Sequence, residues 1–565
     1  MDLPNPSLAV VAALLVFFSG VSGAGGEVAE KRVPRFRFVD VAHDAGLTRV
    51  VHAGRPGKDH LLDSAGTGVA WLDFDKDGHL DAYIVNSWKM AEDRIVERGK
   101  NALYRNLGDG SFEDVTERSG TGGDGHWGCG VAVADYDADG WPDILVTNFG
   151  PNLLYRNRGD GSFENVAAQA GIEVPEWSTG AAFFDADGDG DLDLYIAGYI
   201  EATREEVLKA RPTLDWKGVD KVAFGPFGLK GALDHFFLFD GTGSYAEFTA
   251  EAGLADRSRG FGFGVRTADL DADGDLDLYI ANDSDANYFY RNEGGGTFQE
   301  VGLWTGAAFD VNGAAQAGMG VAVGDVDGDL NLDIVVTNFA EDFSTLYRSL
   351  GSGFFEDASA EAGVGGPSFP LLSWGASLAD LDNDGDLDLT IANGHIYPQV
   401  DDHPQLSFSY RQPNLLLENI GSGRFIDVTD EAGPGFQLIE ASRGLAAGDY
   451  DNDGDLDLLF SNLDEPPTLL RNESEKGSWL SLVLEIPPGR GPVIGTRVVV
   501  TAGGKRLIRD VASGGSYLST HDHRLHFGLG SVGVVERIEI TWPDGHRTVR
   551  EEVAANQFLA ISREP

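Results

Sequence analysis

Seven times along the 565-residue chain, nine residues spell D-x-D-x-D-G-x-x-D or a close variant of it. In chain order the copies supply Asp73, Asp75, Asp77 and Asp81; Asp135, Asp137, Asp139 and Asp143; Asp185, Asp187, Asp189 and Asp193; then Asp269, Asp271, Asp273 and Asp277. The last three supply Asp325, Asp327, Asp329 and Asp333; Asp380, Asp382, Asp384 and Asp388; and Asp449, Asp451, Asp453 and Asp457. Carboxylates at positions 1, 3 and 5 converge when the chain curls, a glycine at 6 permits the sharp turn, and the aspartate at 9 closes the cage. Hard oxygen ligands in a flexible loop suit Ca²⁺, whereas Mg²⁺ keeps more water and Zn²⁺ wants His or Cys. Up to seven Ca²⁺ ions are expected. Only the fifth copy departs, with Leu330 where the other copies have glycine.

The elements that position these loops are strands. An EF-hand would need flanking helices and a Glu at position 12, but that position holds Ile84, Val146, Ile196, Ile280, Val336, Ile391 and Phe460. A Gly-rich apolar run precedes each loop (GVAWLDF from Gly68, GVAVADY from Gly130) and a short β-rich run follows it. Next comes an N-x-L-Y-R-N-like strand (NALYRN from Asn101, NLLYRN from Asn152), then a G-x-G-x-F turn and a fourth strand. Four antiparallel strands per unit and seven units predict an all-β, seven-bladed β-propeller. The seventh unit lacks its fourth strand, while an orphan copy, FRFVDVAHDAGL, opens the array at Phe36. The amino-terminal strand is therefore expected to complete the last blade and remove the exposed edges. The propeller is expected over residues 32–475 and a small β-sandwich over 478–565, where LSLVLEI, TRVVVTAG and RIEITWPDG alternate.

This repeat resembles the FG-GAP repeats of integrin alpha-subunit propellers, whose calcium loops share the D-x-D-x-D-G-x-x-D form. The order of motifs resembles the cartilage acidic protein family and its bacterial relatives, which join such FG-GAP/VCBS repeats to a carboxy-terminal ASPIC/UnbV domain. The supporting segments are WKGVDKVAFGPFGLKGALDHFF from Trp216, NGHIYPQVD from Asn393 and GTRVVVTAGGKRLIRDVASGGSYLSTHDHRLHFGLG from Gly495. Relatives place cysteines near the GPxGL segment; Ala223 and Phe224 stand there instead, so no thiol role carries over.

A formal charge of -49, from 91 Asp+Glu against 42 Lys+Arg, excludes electrostatic nucleic-acid binding. The 42% hydrophobic content is that of a chain that folds. The single cysteine, Cys129, leaves no internal disulfide, so burial and bound metal must hold the fold. Leu8 to Phe18 is an apolar run followed by small residues, which predicts a signal peptide over 1–23, although Asp2 replaces the usual basic residue; the protein is expected to be secreted, periplasmic or at the cell surface, with no membrane span.

In a four-stranded blade the calcium loops join strands one and two and share one end. The long insertions, Ser87 to Lys100, Tyr199 to Leu233 and Gly394 to Pro413, join strands two and three at the other end. His126, Trp127, His395, Tyr397, His403 and Arg411 are candidates for a ligand face there. His521, Asp522, His523 and His526 form a second polar cluster, read as an exposed turn or a metal site. No G-x-S-x-G elbow, P-loop or H-E-x-x-H occurs. Two readings stay open: a binding or adhesion module for a protein or carbohydrate, and a lyase or hydrolase acting on a sugar or secondary metabolite at the insertion end or in the central channel.

Overall fold

The structure, a computed structural model, describes residues 35–564 apart from 224, 227 and 256–258. The expected signal peptide and Phe224 lie outside the described residues. Arg35–Pro565 forms one compact unit.

Seven four-stranded antiparallel sheets follow the repeat. The first pairs Val69–Leu72, Asp81–Ile84, Ala102–Asn106 and Phe112–Asp114 in that order. The innermost strands, Val69–Leu72, Trp127–Ala134, Ser178–Phe184, Gly262–Ala268, Val321–Gly324, Ser373–Ala379 and Ser442–Gly448, touch in cyclic order, the last returning to the first. Their glycines allow that approach: a Cβ on Gly320 would sit 2.1 Å from the Trp374 carbonyl oxygen, and one on Gly180 2.2 Å from that of Phe263. The amino-terminal strand Phe38–Asp40 pairs with Thr468–Asn472, and Phe38 meets Asn472 in register. The chain's first described strand thus supplies the fourth strand of the last sheet, as the orphan motif requires.

Apolar clusters lie between neighbouring sheets; one joins Val69, Trp71 and Phe112 of the first to Ala446, Tyr450 and Leu469 of the last. Single helical turns such as Thr116–Ser119 and Ala167–Ala170 follow several fourth strands, a feature the alternation pattern does not announce.

The carboxy-terminal strands form a three-stranded sheet around Ser478–Glu485 and a four-stranded sheet around Arg497–Ala502 and Val534–Thr541, sharing a core with Tyr136, Phe183 and Leu194 of the propeller. This domain does not merely sit beside the ring. Residues 513–520 thread the central channel, where Ser513, Ser516, Tyr517 and Thr520 are wholly buried. The segment bridges to two innermost strands, Ser516 to Val321 and Thr520 to Ala70, and the Val131 amide donates to the Leu518 carbonyl at 3.0 Å. Innermost strands expose backbone groups toward the channel, and the inserted segment satisfies several of them. The Tyr517 hydroxyl donates to the Ala65 carbonyl at 2.9 Å, and its ring packs edge-on against Trp374 at 4.8 Å. Residues 513–520 thus fill this stretch of the channel.

Candidate functional site

At the loop end, each repeat builds the same turn. The position-9 aspartate is buried in all seven copies, and both its carboxylate oxygens accept backbone N–H groups. In the first copy Phe74 donates to Asp81 Oδ2 at 3.0 Å and Asn106 to Oδ1 at 2.8 Å; in the seventh Tyr450 and Asn472 do the same for Asp457. This residue ties the loop to the third strand, a role that spacing alone does not reveal. The terminal asparagine of the third strand adds a second tie: Asn106 Nδ2 donates to the carbonyls of Leu80 and Tyr450, joining the first sheet to the last.

Position 1 folds the turn. Gly78 and Asp77 donate to the Asp73 carboxylate, and Gly140 to that of Asp135. Leu330, at the one non-glycine position 6, takes φ 72°, the left-handed value that glycine adopts easily. The carboxylates crowd: three ligand oxygens from Asp73, Asp75 and Asp81 lie within 4.8 Å of one another, as do those of Asp135, Asp137 and Asp143, of Asp185, Asp187 and Asp193, and of Asp325, Asp327 and Asp333. Around the fourth copy the close set is Asp269, Asp271 and Asp273. Burial, with repulsion from neighbouring carboxylates, pushes Asp81 up to about 9, Asp277 to about 8 and Asp135 to about 7. Buried oxygens of Asp75, Asp135, Asp269 and Asp451 have no hydrogen-bond partner. Arg105 reaches Asp75 and Asp77, and Arg497 of the carboxy-terminal domain reaches Asp269 at 2.9 Å.

The opposite end is walled by the insertions, but not by the residues expected. Trp127 is buried edge-on against Trp88. His395 is fully buried among Trp216, Phe339, Tyr397 and Phe408; its Nδ1 accepts from the Tyr397 amide, and burial drives the imidazole down to about 3. His126 and His403 are partly exposed, and exposed Arg411 pairs with Glu465 at 2.6 Å. Tyr397 lines a cavity, whereas the rings of Trp127 and His395 are buried in the packing of strands and insertions.

That cavity holds about 320 Å³. Trp216 comes from the third-unit insertion, Tyr397 from the sixth, Tyr199 and Phe339 from strand ends, and Asp283 and Asp342 from the short two-to-three loops of the fourth and fifth units. Tyr199 donates to Asp283 Oδ2 at 2.6 Å, and Gln316 and the Ala317 amide donate to Asp342 at 2.9 and 3.0 Å. Neutral donors hold both carboxylates, leaving their remaining lone pairs available to the cavity. Asp283 and Asp342 escape a reading that follows only long insertions. Their signal is their place in the same class of loop.

At the loop end the HDH cluster is not an exposed turn. His521 and His523 are half-buried, His526 is buried, and all three line a second cavity between the propeller and the carboxy-terminal domain.

Comparison with known proteins gives matches to an FG-GAP-like repeat over residues 73–146, 135–196, 269–336 and 325–391, and to ASPIC and UnbV over 488–565. Cartilage acidic protein 1 from Mus musculus is 25% identical over 498 residues, covering 76% of this chain and 73% of that protein. The Homo sapiens protein is 25% identical over 498 residues, covering 76% and 71%. Among solved structures, an Agrocybe aegerita lectin recognising non-reducing terminal N-acetylglucosamine aligns at TM-score 0.36 and 17% identity over 71% of this chain and 86% of that one. BBS1N in complex with ARL6DN aligns at TM-score 0.40 and 10% identity over 77% and 97%.

Proposed function

We propose that this chain, which joins FG-GAP-like repeats to a carboxy-terminal ASPIC/UnbV domain and is homologous to cartilage acidic protein 1, is an exported, calcium-braced binding module that takes a carbohydrate group in the cavity at its insertion end. The observation that carries the reading is that cavity, lined by the aromatic side chains of Trp216, Tyr397 and Tyr199 together with Asp283 and Asp342. Aromatic faces stack on the apolar C–H face of a sugar ring, and carboxylates accept from its hydroxyls. A concave volume of about 320 Å³ suits one or two sugar rings or a single side chain of a protein partner better than a flat protein surface.

Calcium bracing rests on the unpartnered buried oxygens of Asp75, Asp135, Asp269 and Asp451. Carboxylates at positions 1, 3 and 9, whose oxygens converge in most copies, would hold the ion together with position 5, and position 9 also ties the loop to the third strand. The ion supplies the positive charge that offsets burial of clustered carboxylates. Export rests on the apolar run Leu8 to Phe18; among the described residues no helix is long and apolar enough to cross a membrane.

The test is a glycan array probed with the full chain in calcium buffer, alongside Trp216→Ala and Asp283→Asn. Retention on a defined glycan, lost in both variants while their melting stays near that of the parent, is the expected result. No retention on any glycan, or retention that both variants keep, overturns the reading.

A further inference from the structure

The second cavity, about 140 Å³, lies where the channel segment meets the aspartate-loop end of the ring. Arg266 comes from an innermost propeller strand, Arg509 from the strand Lys505–Asp510, and His523 and His526 from the chain just beyond the threaded segment. Arg266 Nη1 donates to the Gly514 carbonyl at 3.2 Å, but its Nε has no partner. Arg509 Nη1 donates to its neighbour's carbonyl at 2.8 Å, and its Nη2 has none.

The carboxylates nearby are already engaged. Asp510 pairs with Arg497 at 2.7 Å and Asp522 with Arg524 at 2.7 Å. Asp380, the third carboxylate in the lining, accepts from the amides of Asp384, Gly385 and Gly528. Among the described residues, neither Arg266 nor Arg509 has a carboxylate within ion-pair distance. Asp380 acts on Arg509 and Asp510 on Arg266 only through space, so each guanidinium keeps an N–H with no acceptor in contact, and a buried donor left unpaired is costly.

The histidines refine the chemistry. Asn383 donates through Nδ2 to the Gly454 carbonyl at 3.1 Å and to Asp455 at 2.8 Å, so its Oδ1 faces His526 Nε2 at 2.6 Å. That bond puts the proton on Nε2 and leaves the lone pair on Nδ1. His526 is 7% exposed, and its Nδ1 has no partner; nor has His523 Nε2. The lining thus holds unpartnered guanidinium N–H donors together with an imidazole acceptor at His526 Nδ1.

We propose that this cavity binds a small tetrahedral oxyanion that carries a hydroxyl, hydrogen phosphate being the simplest, with Arg266 and Arg509 donating to its oxygens and His526 Nδ1 accepting from its OH. The volume equals that of roughly four or five waters, enough for such an anion. Forked guanidinium donors match oxyanion geometry, and the anion would pin the carboxy-terminal domain to the ring.

Equilibrium dialysis of the full chain with radiolabelled phosphate, in calcium buffer at fixed ionic strength, tests the site. One phosphate per chain is expected, with sulfate, which carries no hydroxyl near neutral pH, a poor competitor. Arg266→Gln and Arg509→Gln should each weaken binding at least about tenfold, and Arg509→Lys should recover only part of it. Should a variant fail to fold, the parent chain decides alone. Absence of saturable binding overturns the proposal, as does phosphate binding unchanged in a folded Arg266→Gln protein. Sulfate binding as tight as phosphate overturns the part assigned to His526.

Discussion

Tyr517 offers the sharpest test of the threaded channel. Its side chain is wholly buried, packed against Trp374 and Phe263, and hydrogen-bonded to the Ala65 carbonyl. Truncating a buried aromatic to alanine costs about 3–5 kcal/mol, and losing the hydroxyl bond adds about 1 kcal/mol. Unfolding entropy near 2.1 cal/mol/K per residue over Arg35–Pro565 comes to about 1.1 kcal/mol per kelvin. Tyr517→Ala should therefore lower the calorimetric melting temperature by about 4–5 °C, and Tyr517→Phe by about 1 °C. Because the segment belongs to the carboxy-terminal domain yet is bonded to the ring, the parent should melt in one transition. A shift in Tyr517→Ala no larger than in Tyr517→Phe, or a separate endotherm for the carboxy-terminal domain in the parent, would refute the threading argument.

Three further outcomes follow from other contacts. Asn106→Ala leaves the Leu80 and Tyr450 carbonyls without their donor and should cost about 1–3 kcal/mol, read from urea unfolding; a neutral result would remove the asparagine from ring closure. Deleting Arg35–Asp40 strips the last sheet of its fourth strand and should give aggregation or dimers in light scattering, whereas a monomer of parental stability contradicts strand closure. The His395 imidazole is buried and held near 3 against an ordinary value of 6.5. Its folded pKa is depressed, so its contribution is fully present above 6.5 and is lost as pH falls toward 3. At pH 5 the loss is about 2 kcal/mol. Chemical unfolding at neutral pH and at pH 5 should show His395→Phe losing less stability than the parent; equal losses would contradict the buried neutral imidazole.

The ring was legible because it repeats. Seven copies of one loop, the alternating strands around it and the orphan Phe38 strand determine sheet order by pattern alone, since each unit must bury the same apolar face. The crowding of the loop aspartates was legible from spacing, but the position-9 aspartate carries a structural duty, two backbone N–H bonds, that depends on where the third strand comes to lie. The ligand face was misjudged for a tertiary reason. His395 sits on an insertion that packs against others, and Trp127 opens an innermost strand and is buried against Trp88 of the first-unit insertion, so both rings fill the interior, while short loops bearing Asp283 and Asp342 supply polar lining instead. The channel segment, SGGSYLST from Ser513, has no periodicity to reveal its place. Only the backbone groups left open along the innermost strands explain it.

Calcium removal addresses the account's central claim, that clustered aspartates brace the ring through a bound cation. At a site affinity near 10 µM and about 1 mM calcium, each occupied loop adds about 2.7 kcal/mol. Four loops would then contribute about 11 kcal/mol, comparable with the whole stability of an ordinary domain. Scanning calorimetry of the full chain in EGTA and in calcium should show a melting temperature at least about 10 °C lower without the ion, restored by calcium and only weakly by magnesium. An unchanged melt in EGTA would contradict the account.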